Sequence, residues 1–147
     1  MSNRGALLPE ASLGYRVSLA NRQLTRTLRA RLEPVGVAPG QFGVLLVLYD
    51  VDGVTQAELC DRVQVEQPTM ANTLARMARD GLIERHPDPQ DRRRVLVGLT
   101  ERARRLEEPM VAAARAVNAE AVTGLDVGQV GELMGMLSVV TDNLGAS

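Results

Sequence analysis

Between Thr55 and Thr100 the chain is punctuated so closely that few folds can accommodate it. Thr55-Gln56-Ala57-Glu58 is a capping box, a hydroxyl and a carboxylate spaced to satisfy the orphan N–H groups at a helix start. The helix it opens runs only to about Val63. A tight turn follows, and a second helix is predicted over residues 66–79. Pro68 falls in its first turn and Gly81 just past its end. Residues 82–86 and 95–99 are short and apolar, separated by Pro, Asp and Gln, which predicts a hairpin with a long tip. Arg92, Arg93 and Arg94 sit at the start of the returning strand. A short helix, a turn, a second helix and a basic hairpin have the parts needed to seat a helix in the DNA major groove and reach the next groove beside it.

The flanking segments are helical in pattern. Leu13, Val17, Ala20, Leu24, Leu28 and Leu32 recur at three- and four-residue steps, with Arg22, Arg26 and Arg29 off the stripe. Gly36 suits a left-handed cap at the end of that helix. Pro39 opens another, carrying Phe42, Leu45, Leu46 and Leu48, and Asp52-Gly53 stops it. Thr100 can cap a long helix to about residue 121, bent or interrupted by Pro109. Asp126-x-x-Gln129 is a second capping box. Beyond it Val130, Leu133, Leu137 and Val140 form a narrow seam, the kind that packs helix on helix. Gly128, Gly131 and Gly135 weaken this last helix in isolation, so it needs a packing partner.

Composition supports one mainly helical domain over residues 1–147. Aromatics make up 2% of the chain and Trp is absent, so the core must be aliphatic. All 17 Lys+Arg residues are Arg, whose planar fork matches phosphate and guanine edges better than Lys. The net charge is only −1, but its distribution is uneven. Residues 62–105 carry ten Arg and six acids, net +4, whereas residues 106–147 carry one Arg and six acids, net −5. The cationic middle can face phosphates while the acidic end stays away. A single Cys rules out an intramolecular disulfide framework. No secretory signal or membrane-spanning run is visible, so a cytoplasmic protein without membrane association is expected.

Gln67, Pro68, Thr69, Asn72 and Thr73 occupy the first turns of the second short helix. Gln and Asn can pair with adenine, and Thr can touch a thymine methyl. Val65, Met70, Leu74 and Met77 read as core. Arg76 and Arg79 can meet phosphate or pair with Asp80 or Glu84. Alternation along a strand prevents the three wing arginines from sharing one role. Arg92 and Arg94 suit phosphates or local acids. Cys60 reads as a small buried hydrophobe. His86, the one His, reads as a surface residue, too isolated for a metal or catalytic site. No cofactor, metal or catalytic constellation is expected.

Taken in order, Pro39-Gly40-Gln41-Phe42, Thr55-Gln56-Ala57-Glu58-Leu59, Asp80-Gly81-Leu82-Ile83-Glu84-Arg85, Asp88-Pro89-Gln90-Asp91-Arg92-Arg93-Arg94 and Leu99-Thr100 resemble the MarR (multiple antibiotic resistance regulator) family over nearly the whole chain. The resemblance implies a winged helix-turn-helix lobe over about 36–100. A helical dimerisation region would come from about 10–35 and 101–147, with Val130, Leu133, Leu137 and Val140 in the interface. It implies a regulator of repressor type that binds a pseudo-palindromic site on double-stranded DNA as a homodimer. Arg93 would then enter the minor groove, with Asp91 positioning the wing. A small phenolic or other effector would bind near Tyr15, Arg16 and Phe42. Alternatives for those three are core packing for Tyr15 and Phe42 and a dimer salt bridge for Arg16. The chain departs from the family at Ala38, Glu66 and Gln67, where Thr or Ser, Ser, and Arg are usual. Glu66 and the acidic balance keep open a second reading, a winged-helix protein-interaction module without specific DNA binding.

Overall fold

Residues 7–145 are described by a computed structural model. Seven helices and a two-stranded hairpin follow one another in the order α1 Leu13–Leu32, α2 Pro39–Asp50, α3 Gln56–Val63, α4 Gln67–Arg79, β1 Ile83–Pro87, β2 Val95–Leu99, α5 Glu101–Arg105, α6 Glu107–Ala121 and α7 Val127–Gly145. A single 3-10 turn, Glu33–Val35, joins α1 to Gly36, which takes the left-handed conformation at φ 77°. The mainly helical fold with a small β-wing agrees with the reading of the sequence.

The core is aliphatic, as the composition requires. Leu32, Leu45, Leu48, Leu59, Met70, Leu74, Met77, Leu82 and Met110 are fully enclosed. They bring α2, α3, α4 and the base of the hairpin together, with α1 and α6 laid across one side. Leu46 faces outward from α2 at 44% exposure, and the apolar buried face of that helix is Phe42, Val44, Leu45, Val47 and Leu48.

Caps set the helix boundaries. At α3 the Glu58 N–H donates to Thr55 Oγ1 at 3.2 Å, and Glu58 Oε2 accepts from the Thr55 N–H at 2.8 Å. Asp126 and Gln129 exchange the same pair of bonds, at 2.9 and 2.8 Å, just before α7. Ala38 has no oxygen with which to cap α2, and the missing half is offset from the other side. Gln41 Oε1 accepts from the Ala38 N–H at 3.1 Å, while its Nε2 donates to Asp80 Oδ2 at 2.9 Å. One buried amide therefore starts α2 and ties it to the end of α4.

The segment predicted as one bent helix from 101 to about 121 is divided at Leu106 into α5 and α6. Pro109 lacks the N–H that would bond the Arg105 carbonyl, and its ring crowds that carbonyl. Placed three residues into α6, it occupies a first turn where no intrahelical donor is needed. The hairpin pairs Ile83 with Leu99 and Pro87 with Val95. Val54 adds one further rung by exchanging bonds with Val97 at 3.1 and 2.7 Å.

Helix α7 stands apart. None of its residues is buried. The seam Val130, Leu133, Leu137 and Val140 is its least exposed apolar line, Leu133 and Leu137 being 36% and 38% exposed. Val127, Met134, Met136 and Val139 carry more apolar surface into solvent than that seam does. In α1 only Leu32 is buried. No single described helix is long and apolar enough to cross a membrane.

Candidate nucleic-acid interface

The amphipathic split of α4 creates the surface. Met70, Leu74 and Met77 are buried at 1%, 0% and 0% exposure and anchor one face. At 100° per residue the opposite face carries Pro68, Thr69, Asn72, Arg76 and Arg79, all exposed. Gln67 and Thr73 flank that stripe. Thr73 is half-buried, and its hydroxyl donates to the Thr69 carbonyl at 3.0 Å, which leaves its methyl as the contact surface. Gln67 is exposed and its Oε1 accepts from Gln56 Nε2 at 3.0 Å. Glu66 occupies the N-cap position without a capping bond from its side chain. Neither Arg76 nor Arg79 forms an ion pair with Asp80 or Glu84 among the described residues, and Asp80 is engaged by Gln41 instead. The outward face of α4 thus offers two amides, two hydroxyl-bearing side chains, an apolar ring and two cations.

The wing is held by its own acids. Asp88 Oδ1 accepts from the Gln90 N–H at 2.9 Å, and Asp91 Oδ1 from the Arg93 N–H at 3.1 Å. These are successive Asx turns, in which a carboxylate replaces a backbone acceptor. The Asp88 N–H closes the loop onto the Arg94 carbonyl at 2.9 Å. Asp91 Oδ1 also lies 3.4 Å from Arg93 Nε, yet the Arg93 side chain remains 93% exposed. Arg94 turns inward: its guanidinium lies 3.4 Å from Glu58 Oε1 and 3.9 Å from Asp88 Oδ2. Glu58 therefore serves both the α3 cap and the wing root. Arg92 is exposed and forms no ion pair among the described residues. All three arginines precede β2 and lie in the turn rather than at the start of the strand, so turn geometry and not strand alternation separates them: one projects from the tip, one braces the root, and one is open to solvent.

A second brace was not legible in the sequence, where Asp52-Gly53 reads only as a helix stop. Asp52 Oδ1 accepts from the Leu99 N–H at 2.9 Å, and Oδ2 meets Arg104 Nη2 at 2.8 Å. This joins the end of α2, the hairpin and α5. Burial pushes the Asp52 carboxyl up, but the Leu99 N–H, the Arg104 guanidinium and the Gly53 N–H together hold it below the usual carboxylate range. Tyr49 makes another link, donating to the Ala103 carbonyl at 2.6 Å. Burial, then the nearby Glu107 carboxylate, push its phenol up to about 12.

Cys60 is buried in the core at 8% exposure, and His86 is exposed on β1. No group of three or more His, Cys, Asp or Glu among the described residues is placed to hold a metal ion. Tyr15, Arg16 and Phe42 lie in different surroundings. Tyr15 is 59% exposed on α1, Phe42 is a core residue at 5%, and Arg16 Nε donates to the Glu10 carbonyl at 2.8 Å. Two surface grooves, one along Arg105, Glu108, Val111 and Arg115 and one behind the hairpin at Asp52, His86, Leu96 and Gly98, include none of the three.

A profile of the MarR family matches residues 35–94, the stretch from the approach to α2 through the wing. The chain is 32% identical over 103 residues to the HTH-type transcriptional repressor NicR of Pseudomonas putida, covering 70% of this chain and 65% of that protein. It is 30% identical over 94 residues to the uncharacterised HTH-type transcriptional regulator YwoH of Bacillus subtilis, covering 64% and 68%. The matches span about two thirds of the length of these curated relatives. Among solved structures, mutant MarR from Escherichia coli complexed with operator DNA superposes with a TM-score of 0.82 at 26% identity, covering 95% of this chain and 99% of that one. With the helix-turn-helix, the wing and these similarities in agreement, the chain belongs to the MarR family of transcriptional regulators.

Proposed function

We propose that this protein is a cytoplasmic homodimer that binds a pseudo-palindromic site on double-stranded DNA and acts as a transcriptional repressor. The observation that carries the reading is the pairing of two features. Helix α4 turns Pro68, Thr69, Asn72 and Arg76 outward from a buried Met70-Leu74-Met77 face, and a braced wing presents Arg93 at 93% exposure. In the complex, α4 lies in the major groove with its first turns against base edges. Gln67 and Asn72 read bases, Thr69 and Thr73 add hydroxyl and methyl contacts, and Arg76 and Arg92 meet phosphates. Arg93 enters the minor groove, where narrowed A·T steps attract a guanidinium. Asp91 and Arg94 hold the hairpin in place for it.

Two-fold symmetry is supported by the uncovered terminal helices. Exposed apolar surface of this extent on a helix marks a face that a partner covers. Twelve of the eighteen large exposed hydrophobics among the described residues lie on α1 and α7. A second copy, with Val130, Leu133, Leu137 and Val140 in its contact, covers them by an isologous interface. Effector control belongs to the same reading. An anionic aromatic ligand would meet Tyr15 and Arg16 on the exposed face of α1, while Phe42 is enclosed in the protomer and offers it no open surface.

Titration of purified protein against duplex DNA at several salt concentrations tests the proposal. A dimer neutralising several phosphates gives a steep linear fall of log K with log salt. Absence of duplex binding at low salt would favour a winged helix that recognises protein instead.

A further inference from the structure

The first residues of α3 and α4 meet across the turn of the helix-turn-helix. Gln56 Nε2 donates to Gln67 Oε1 at 3.0 Å, between residues eleven apart in sequence. Gln56 is half-buried, whereas Gln67 is exposed on the proposed DNA-reading helix. The intervening turn is fixed by Gln64, which holds the left-handed conformation at φ 60°. We propose that Gln56 is a specificity-determining positioning residue: it fixes the orientation of the Gln67 amide before DNA arrives and so sets the base preference at one position of each half-site. The proposal rests on the DNA-reading role given to α4 above.

A carboxamide presents two N–H donors on one side and a carbonyl acceptor on the other. An unrestrained glutamine exchanges them by rotating its amide through half a turn, and so tolerates donors and acceptors on the base edge. It also loses rotamer freedom on binding. With Gln56 donating to its oxygen, Gln67 keeps that oxygen toward α3 and turns its N–H groups to the groove. The acceptors available there are purine N7, guanine O6 and thymine O4. Cytosine presents a donor, its N4 amino group. The braced Gln67 therefore favours guanine or thymine and disfavours cytosine on the edge it faces.

Substitution of one atom group reverses this logic. In Gln56→Glu the side chain keeps its length, is acceptable in the first turn of a helix, and has no donor. It draws the Gln67 N–H groups toward α3 and leaves the Gln67 oxygen facing the groove, where it matches adenine N6 and cytosine N4. In Gln56→Ala the amide is free, and discrimination at that position flattens.

The test is selection from a random duplex pool with the full-length chain as wild type, Gln56→Glu, Gln56→Ala, Gln67→Ala and the Gln56→Glu/Gln67→Ala double variant. Affinities for all four bases are then measured at the position that Gln67→Ala flattens. The expected result is a shift on the order of tenfold toward adenine or cytosine in Gln56→Glu, within the discrimination a well-placed amide provides. In the Gln67→Ala background, Gln56→Glu changes no base preference. An unchanged order of bases in folded Gln56→Glu and Gln56→Ala overturns the role of Gln56 while leaving the DNA reading intact. So does a shift that persists without Gln67. If wild type itself enriches no sequence, the DNA reading fails and this inference fails with it.

Discussion

Leu133→Ala/Leu137→Ala is the most informative perturbation of the proposed dimer, because its magnitude follows from exposure. The two leucines remain 36% and 38% exposed in the protomer. Burying a leucine completely is worth about 1.5–3 kcal/mol relative to leaving it in water, so covering the last third gains about 0.5–1 kcal/mol per side chain. An isologous interface uses each residue twice. The double variant should therefore weaken association by about 2–4 kcal/mol, roughly 30- to 1000-fold in dissociation constant. Leu133→Asp/Leu137→Asp should go further, to monomer or unfolded chain, because it buries unpaired carboxylates. Sedimentation equilibrium from nanomolar to tens of micromolar protein measures the constants, and circular dichroism follows helix content in the same samples. A wild-type chain that stays folded and monomeric throughout would refute the reasoning. An Ala double variant that dissociates like wild type would show that α7 uses another face, such as Met134 and Met136.

Other outcomes follow from the same geometry. Arg93→Ala should weaken DNA binding and reduce the preference for flanking A·T pairs without changing the melting temperature, since its side chain is 93% exposed; Arg92→Ala should lower affinity evenly and reduce the salt slope by about one ion. Cys60→Ala should fold with a loss of about 1 kcal/mol in urea unfolding, and peroxide should leave DNA affinity unchanged, because the thiol is enclosed at 8% exposure. Asp52 gives a pH dependence: a carboxyl whose folded-state pKa lies below its unfolded value stabilises the fold above the unfolded pKa, near about 3.9, and that contribution disappears as pH falls through the lower, folded value. Asp52→Asn should accordingly show a shallower loss of stability on acidification than wild type, read by urea unfolding from pH 6 downward.

Elements with chemical punctuation are legible in the sequence. Thr55 with Glu58 and Asp126 with Gln129 marked helix starts because the same atoms that spell the motif make its bonds. The 3.6-residue period of Met70, Leu74 and Met77 separated the buried face of α4 from the outward one. What the sequence hid were contacts set by tertiary geometry. Nothing local announces that Gln41 also reaches Asp80, that Glu58 is shared with Arg94, or that Asp52 meets Arg104 across 52 residues. The strand rung at Val54 is a single residue and leaves no periodicity to read. For α7, a strict heptad template picked out one narrow seam, while the exposed Met134, Met136 and Val139 give the helix a wider apolar surface.

Sequencing the duplexes that the purified protein retains from a random pool tests the central claim most directly. A two-fold dimer with α4 in successive major grooves must enrich a pseudo-palindrome whose half-site centres lie about 10 bp apart, one turn of the double helix. Positions contacted by Asn72 and Gln67 should be the most constrained, with A·T pairs enriched where Arg93 meets the minor groove. A pool that emerges unenriched, or enriched for a single asymmetric half-site, would contradict the account.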